Sequence, residues 1–186
     1  MAKKNFPTKY TEPLKVIADI LQTKLGLKAG RVMLYNQKYN IPKDDKIFIM
    51  VGEEDNDVYA ASTNTMDTPD GYEERNDVLV RATAVIDVLS AGPEARERKH
   101  EVIMALNSIY SQEMQELNSL RIANLPVGFV NTSDLEASQM LNRFTIKFNI
   151  LYRKSNKNSV DYYDKFKTEV VGNKQANKQQ GSPDQH

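Results

Sequence analysis

The stretch VLVRATAVIDVL, residues 78–89, alternates with a period of two, and that alternation decides the fold. Val78, Val80, Ala82, Ala84, Ile86 and Val88 form one uninterrupted apolar face. The opposite face, Leu79, Arg81, Thr83, Val85, Asp87 and Leu89, is mixed. In a strand, successive side chains point to opposite sides, so this pattern predicts a long strand with one face on a core. A matching strand follows at NRFTIKFNILYRK, residues 142–154. There Phe144, Ile146, Phe148, Ile150 and Tyr152 share one side, with Arg143, Thr145, Lys147 and Asn149 on the other. Sheets with one solvated face are typically antiparallel.

Immediately after the first strand comes SAGPEARERKHEV, residues 90–102. A strand, a glycine turn and a helix start in that order also hold phosphate in many proteins. This joint has only Gly92, Pro93 removes an amide, and Glu94 and Glu97 put carboxylates where a phosphate would sit. Proline at the first helical position and acids in the first turn are what an ordinary helix start prefers. The joint is therefore read as a turn of the chain and the start of a helix spanning Pro93 to Leu117. Its apolar stripe is Val102, Ile103, Leu106, Ile109, Tyr110, Met114 and Leu117.

An earlier helix is predicted at TEPLKVIADILQTKLG, residues 11–26. Thr11 is placed at its N-cap, Leu14, Ile17, Ile20, Leu21 and Leu25 on its buried side, and Gly26 at its stop. Residues 27–45 give a short strand and a loop. KIFIMVGEE (46–54) reads as a buried strand, EEDND as an acidic turn, and DVYAASTNTMD (57–67) as the second half of a hairpin. TPDGYEERND (68–77) has loop chemistry. Residues 122–140, punctuated by Pro126 and Gly128, hold one more short strand. SVDYYDKFKTEVV (159–171) forms a last short element. The expectation is a two-layer α+β sandwich: a mostly antiparallel sheet of about four or five strands with two helices on one face. It occupies residues 1–171, of which 154–171 are an extended arm. Residues 172–186, which have no apolar residue beyond one alanine, are expected to be a disordered polar tail.

Composition narrows the function. Lys and Arg number 25, as do Asp and Glu, and the absent basic surplus argues against nucleic acid as the main partner. There is no cysteine, which removes disulfides and thiolate metal sites. The N-terminus lacks the apolar core of a signal peptide and no apolar run reaches membrane-spanning length, so a soluble protein made in the cytoplasm is expected. His100 lies in the charged stretch EARERKHEV on the solvent side of its helix, beside the helical pair Glu94 and Arg98. The other histidine, His186, is the last residue, so a histidine-based triad has no support. The acidic segments lack calcium-loop spacing. The rings of FTIKFNILY share the core-facing set, so they are no base-stacking platform. No catalytic residue, cofactor or metal is expected.

The segments ATAVIDVLSAGPEARERKHEVIMAL (82–106), MLNRFTIKFNILY (140–152) and SVDYYDKF (159–166) resemble the neck or tail-terminator proteins of tailed bacteriophages. The resemblance runs from about Leu14 to Phe166 and does not extend to the tail after Val171. It implies a small α+β body that assembles into a ring, usually of six subunits, between the tail tube and the head connector. DNA would pass through a central channel without sequence-specific binding, and no membrane would be involved. The implied partners are copies of the chain and neighbouring neck, connector, tail-tube or sheath proteins, in a virion assembled in the host cytoplasm. On this reading Glu53, Glu54, Asp55, Asp57, Asp70, Glu73, Glu74 and Asp77 lie on loops facing a partner or the channel, where a lining that is not basic would let DNA slide. Asp161, Tyr162, Tyr163 and Phe166 would form an arm between subunits. Two alternatives stand beside it: a head-completion or adaptor protein in an adjacent neck ring, and a small ligand-binding or enzymatic α+β domain with a pocket between sheet and helices.

Overall fold

A computed structural model describes residues 12–38, 42, 44–68, 71–125, 128–136 and 139–160. Thr11, Asp70, the arm residues Asp161, Tyr162, Tyr163 and Phe166, and the polar tail 172–186 lie outside the described residues. The elements in chain order are α1 (Pro13–Lys24), β1 (Val32–Leu34), β2 (Phe48–Thr68), β3 (Gly71–Ser90), α2 (Glu94–Leu106), α3 (Ile109–Leu117), β4 (Leu120–Ala123), β5 (Val130–Asn131), β6 (Asp134–Glu136) and β7 (Gln139–Val160). The chain is α+β with a mixed sheet. Its strand order is β1-β2-β3-β7-β4, with β5 and β6 as short pairs on β7. The β1–β2 pair is parallel, and the others are antiparallel.

The alternation at 78–89 places its faces as expected. Val80, Ala82, Ala84, Ile86 and Val88 of β3 are buried with Ile49 and Val51 of β2 and with Phe144, Ile146, Phe148, Ile150 and Tyr152 of β7. Val16, Ile17, Ile20 and Leu21 of α1 join the same cluster, as do Val102 and Leu106 of α2 and Met114 of α3. Each large aliphatic or aromatic side chain buried there stabilises the fold by roughly 1.5–3 kcal/mol. Helix α1 starts with Glu12 at its N-cap and stops at Gly26, whose φ of 64° is the left-handed geometry that favours glycine.

The Gly-Pro joint turns the chain, and its hydrogen bonds show how. The Ser90 hydroxyl accepts from the Ala95 amide at 2.9 Å and donates to the Gly92 carbonyl at 2.6 Å. A Cβ on Gly92 would lie 3.0 Å from the Cβ of Asp45, so a side chain there would crowd the Asp45 segment. Glu94 accepts from the Ile47 amide at 2.8 Å and from Arg98 at 3.1 Å, which ties the helix start to the head of β2. Burial pushes the Glu94 carboxyl up, but the Ile47 amide and Arg98 outweigh it and hold the group below its ordinary value.

Three expectations are corrected. The helix expected over 93–117 is two helices. Ser108 takes an extended conformation, and its hydroxyl accepts from the Ser111 amide at 3.2 Å, a serine cap that restarts the chain as α3. Ile109, placed on the apolar stripe by periodicity, is 75% exposed as a result. The acidic segment EEDND is not a turn either. β2 runs through it and pairs with β3 from Phe48↔Leu89 to Thr68↔Gly71, with irregularities between Glu53 and Asp55 and between Val58 and Ala60. Charged residues and bulges are common on an exposed edge strand, so the composition did not require a turn. Last, Gly71–Asp77 belongs to β3 and 154–160 to β7, so both are ladder strands where a loop and a separate arm were expected.

Candidate functional site

The three long strands continue past the body they build. Their last rung with buried side chains is that of Val80 and Tyr152, 5% and 6% exposed, while Val58, which pairs with Val80 from the edge strand, is exposed. Beyond it, Ala60–Asp67 of β2, Tyr72–Leu79 of β3 and Arg153–Val160 of β7 stay in register for about eight residues. At about 3.3 Å per residue, this is an arm on the order of 25 Å long. Ala60–Asp67 and Arg153–Ser159 of its outer strands are exposed, whereas the middle strand is half-buried between them.

Both faces of the arm are polar. One face carries the rows Thr63–Asn76–Asn156 and Thr65–Glu74–Asn158, and the other carries Ser62–Asp77–Ser155 and Asn64–Arg75–Lys157. Side chains bond across the strands. Thr63 donates to Asn76 at 2.7 Å and Lys157 pairs with Glu73 at 2.7 Å, while Arg75 donates to Asp77 at 3.0 Å along β3 itself. Exposed pairs of this kind contribute a few tenths to about 1 kcal/mol each. Among the described residues, Val78 at the base of the arm packs against the core cluster, and beyond it the arm is held by its backbone ladder.

Both outer edges of the arm are open among the described residues. β1 pairs only with Ile49–Val51, and β4 only with Asn149–Tyr152. The open run of β2 carries Glu53, Glu54, Asp55, Asp57 and Asp67 without one Lys or Arg. The open run of β7 carries Arg153, Lys154 and Lys157 without one Asp or Glu. Glu54 reaches Lys147 at 2.7 Å, and Asp57 stands 4.0 Å from Arg81.

The residues singled out from sequence thus lie on strands. Glu53, Glu54, Asp55 and Asp57 line one edge, and Glu73, Glu74 and Asp77 sit on the middle strand several rungs away. Asp77 is 9% exposed, and its carboxylate accepts from the Ser155 hydroxyl and Arg75, so it is not available to a partner. The Ser155 hydroxyl holds that carboxyl below its ordinary value, with Arg75 adding to it against burial.

Sequence reasoning missed a buried polar cluster on the sheet face opposite the helices. Asp87 is fully buried and accepts from Arg143, Thr145 and the Tyr35 hydroxyl. Arg143 also donates to the Tyr35 oxygen at 2.9 Å. Phe48, Met50, Leu89 and Leu141 pack together on the same side. The Tyr35 ring lies on Gly52, where a Cβ would fall 2.3 Å from ring carbon Cδ2. Burial, and then the Asp87 carboxylate, raises the Tyr35 hydroxyl above its ordinary value, and the hydrogen bond to Asp87 raises Arg143. These groups satisfy one another, and the arrangement clamps the β1 segment to the sheet.

Other chemistry is sparse. Among the described residues no group of three or more His, Cys, Asp or Glu could hold a metal. His100 is exposed and meets the Phe129 ring edge-on at 6.0 Å. An open cleft of about 540 Å³ at the base of the arm is lined by Arg75, Arg153, Lys154 and Lys157, but Arg75 and Lys157 already hold Asp77 and Glu73. No helix among the described residues is long and apolar enough to cross a membrane. No protein-family model matches the chain, and no curated protein matches it.

Proposed function

We propose that this chain is a structural protein of a tailed-bacteriophage neck. In this reading it is a two-layer, tail-terminator-like body that forms a ring, expected to have six subunits, at the head end of the tail tube. The ring joins tail to connector and leaves a channel for DNA. The observation that carries the reading is the arm: three paired strands extend roughly 25 Å past the core, with polar rows on both faces and, among the described residues, no partner strand at either edge. Such an extension adds little to the stability of a lone domain, and it suits a protein whose work is contact with neighbours. Glu53, Glu54, Asp55 and Asp57, a run of β2 with no Lys or Arg among them, also suit a passage that must not grip phosphate. The chain acts in this reading without a cofactor and is not an enzyme.

Electron microscopy of the purified chain, alone and together with isolated tails, tests the reading. Closed rings with a central channel, free or seated on one end of the tube, are the expected image. Monomers that never associate with tails in either preparation would overturn it.

A further inference from the structure

We propose that the ring closes edge to edge, with the open edge of β7 in one copy pairing with the open edge of β2 in the next. The inference rests on the ring reading above and adds the contact that builds it. Both β2 and β7 are antiparallel to β3, and so they run parallel to each other. A rotation about an axis along the strands therefore brings the next copy's β2 beside β7 in the parallel sense, and the sheet continues from subunit to subunit. The heights agree as well. Tyr72–Leu79 of β3 is flanked by Asp67–Ala60 on one side and by Val160–Arg153 on the other, so rotation alone sets the two edges level.

Charge then selects the partner. Over the stretch that would pair, β7 carries Arg153, Lys154 and Lys157, whereas Ala60–Thr68 of β2 carries Asp67 as its one charge and no Lys or Arg. A basic edge repels a second basic edge, so a two-fold pairing of β7 with β7 is disfavoured, and the edge of β2 is the one it accepts. That contact is head-to-tail, the kind that closes into rings. The two irregularities in β2, at Glu53–Asp55 and Val58–Ala60, lie above the stretch that would pair and leave Ala60–Thr68 regular. Met66, 43% exposed, lies within this stretch, where a neighbour can cover it. The occupant of each edge is thus a second copy of this chain.

Cysteine cross-linking tests the contact, because the chain has no cysteine of its own. Thr65 and Asn158 flank Glu74 on the same rung. Within one copy they are separated by two strand spacings, about 10 Å, which a disulfide cannot span. Between copies paired edge to edge they come within about 5 Å, which it can. The variant carrying Thr65→Cys and Asn158→Cys is oxidised under mild conditions, alongside a pair shifted by two residues, Thr63→Cys with Asn158→Cys, to read any slide in register. The expected result is a ladder of covalent multimers from at least one pair, with each single-cysteine control stopping at dimers. No ladder from either pair overturns the inference. So does a ladder that appears only after truncation behind Val160, which would assign the edge to the chain's own terminal segment. The two readings separate cleanly: rings in micrographs without the ladder sink the contact alone, and a ladder from open filaments without rings sinks the neck reading alone.

Discussion

The same three strands build two regions with opposite chemistry. Above the Val58–Val80–Tyr152 rung they carry Ile49, Val51, Ala84, Ile86, Phe148 and Ile150, buried under three helices. Below it they carry Thr63, Asn76, Asn156, Thr65, Glu74 and Asn158, with polar rows on both faces. The β3–β7 ladder passes through the boundary without a break, and the β2–β3 ladder resumes after one irregularity between Val58 and Ala60, so hydrogen bonding alone does not distinguish the two. Burial does. The body is held by apolar area removed from water, while the arm is held in place because its strands are already aligned by the body. Substitutions should therefore weigh heavily in one region and lightly in the other.

The sharpest way to break this contrast is a charge in the body. Ile86→Asp or Phe148→Asp buries an unpaired carboxylate at a cost of several kcal/mol, against a total stability of about 5–15 kcal/mol for a typical domain. No soluble folded protein is expected, and normal circular dichroism from both variants would refute the assigned faces. Next in size is Asp87→Ala, which strands Arg143 and the Tyr35 hydroxyl without their acceptor. A loss of roughly 3–5 kcal/mol in denaturant unfolding is expected. Gly52→Ala pushes the Tyr35 ring off the sheet and should lose about 1–3 kcal/mol, as overpacked sites do.

The arm should respond more quietly. The Asp77 carboxyl is held below its ordinary value, so its support is present above the usual carboxylate range and is lost as pH falls through the lowered value. Acid should thus loosen the Asp77–Ser155 contact before the body yields, seen as earlier amide exchange at those residues, and Asp77→Asn should flatten that dependence. Smallest of all, Thr65→Ala on the arm should change unfolding free energy by no more than about 0.5 kcal/mol. A loss of several kcal/mol there would mean that the arm is part of the core.

This contrast also explains what the sequence made legible. The body announced itself through the alternation of Val78 to Val88 and Phe144 to Tyr152, because burial on one face imposes a period. The Gly-Pro joint was readable because Pro93, Glu94 and Glu97 are local signals. The arm was not readable in this way. A ribbon with polar rows on both faces has no apolar period, and its Asp, Asn, Glu and Gly content matches that of loops. The break between α2 and α3 had a cue in Ser108, a preferred cap, that the continuous apolar stripe outweighed. The Asp87 cluster left no local trace, since Tyr35, Asp87, Arg143 and Thr145 meet only once the sheet has formed. Of the residues proposed for contacts, the acids Glu53 to Asp57 were found as a group, but their place on an open strand edge came from the ladder.

The central claim is that the arm exists for contact between copies. Amide hydrogen exchange, measured on the dissociated chain and again on the assembled ring, tests it most directly. The expected result is fast exchange at the outward amides of residues 60–68 and 154–160 in the dissociated chain, with strong protection gained there on assembly and little change in α1, α2 and α3. Protection gained on the outer faces of the helices, with the arm amides exchanging as fast as before, would contradict the account.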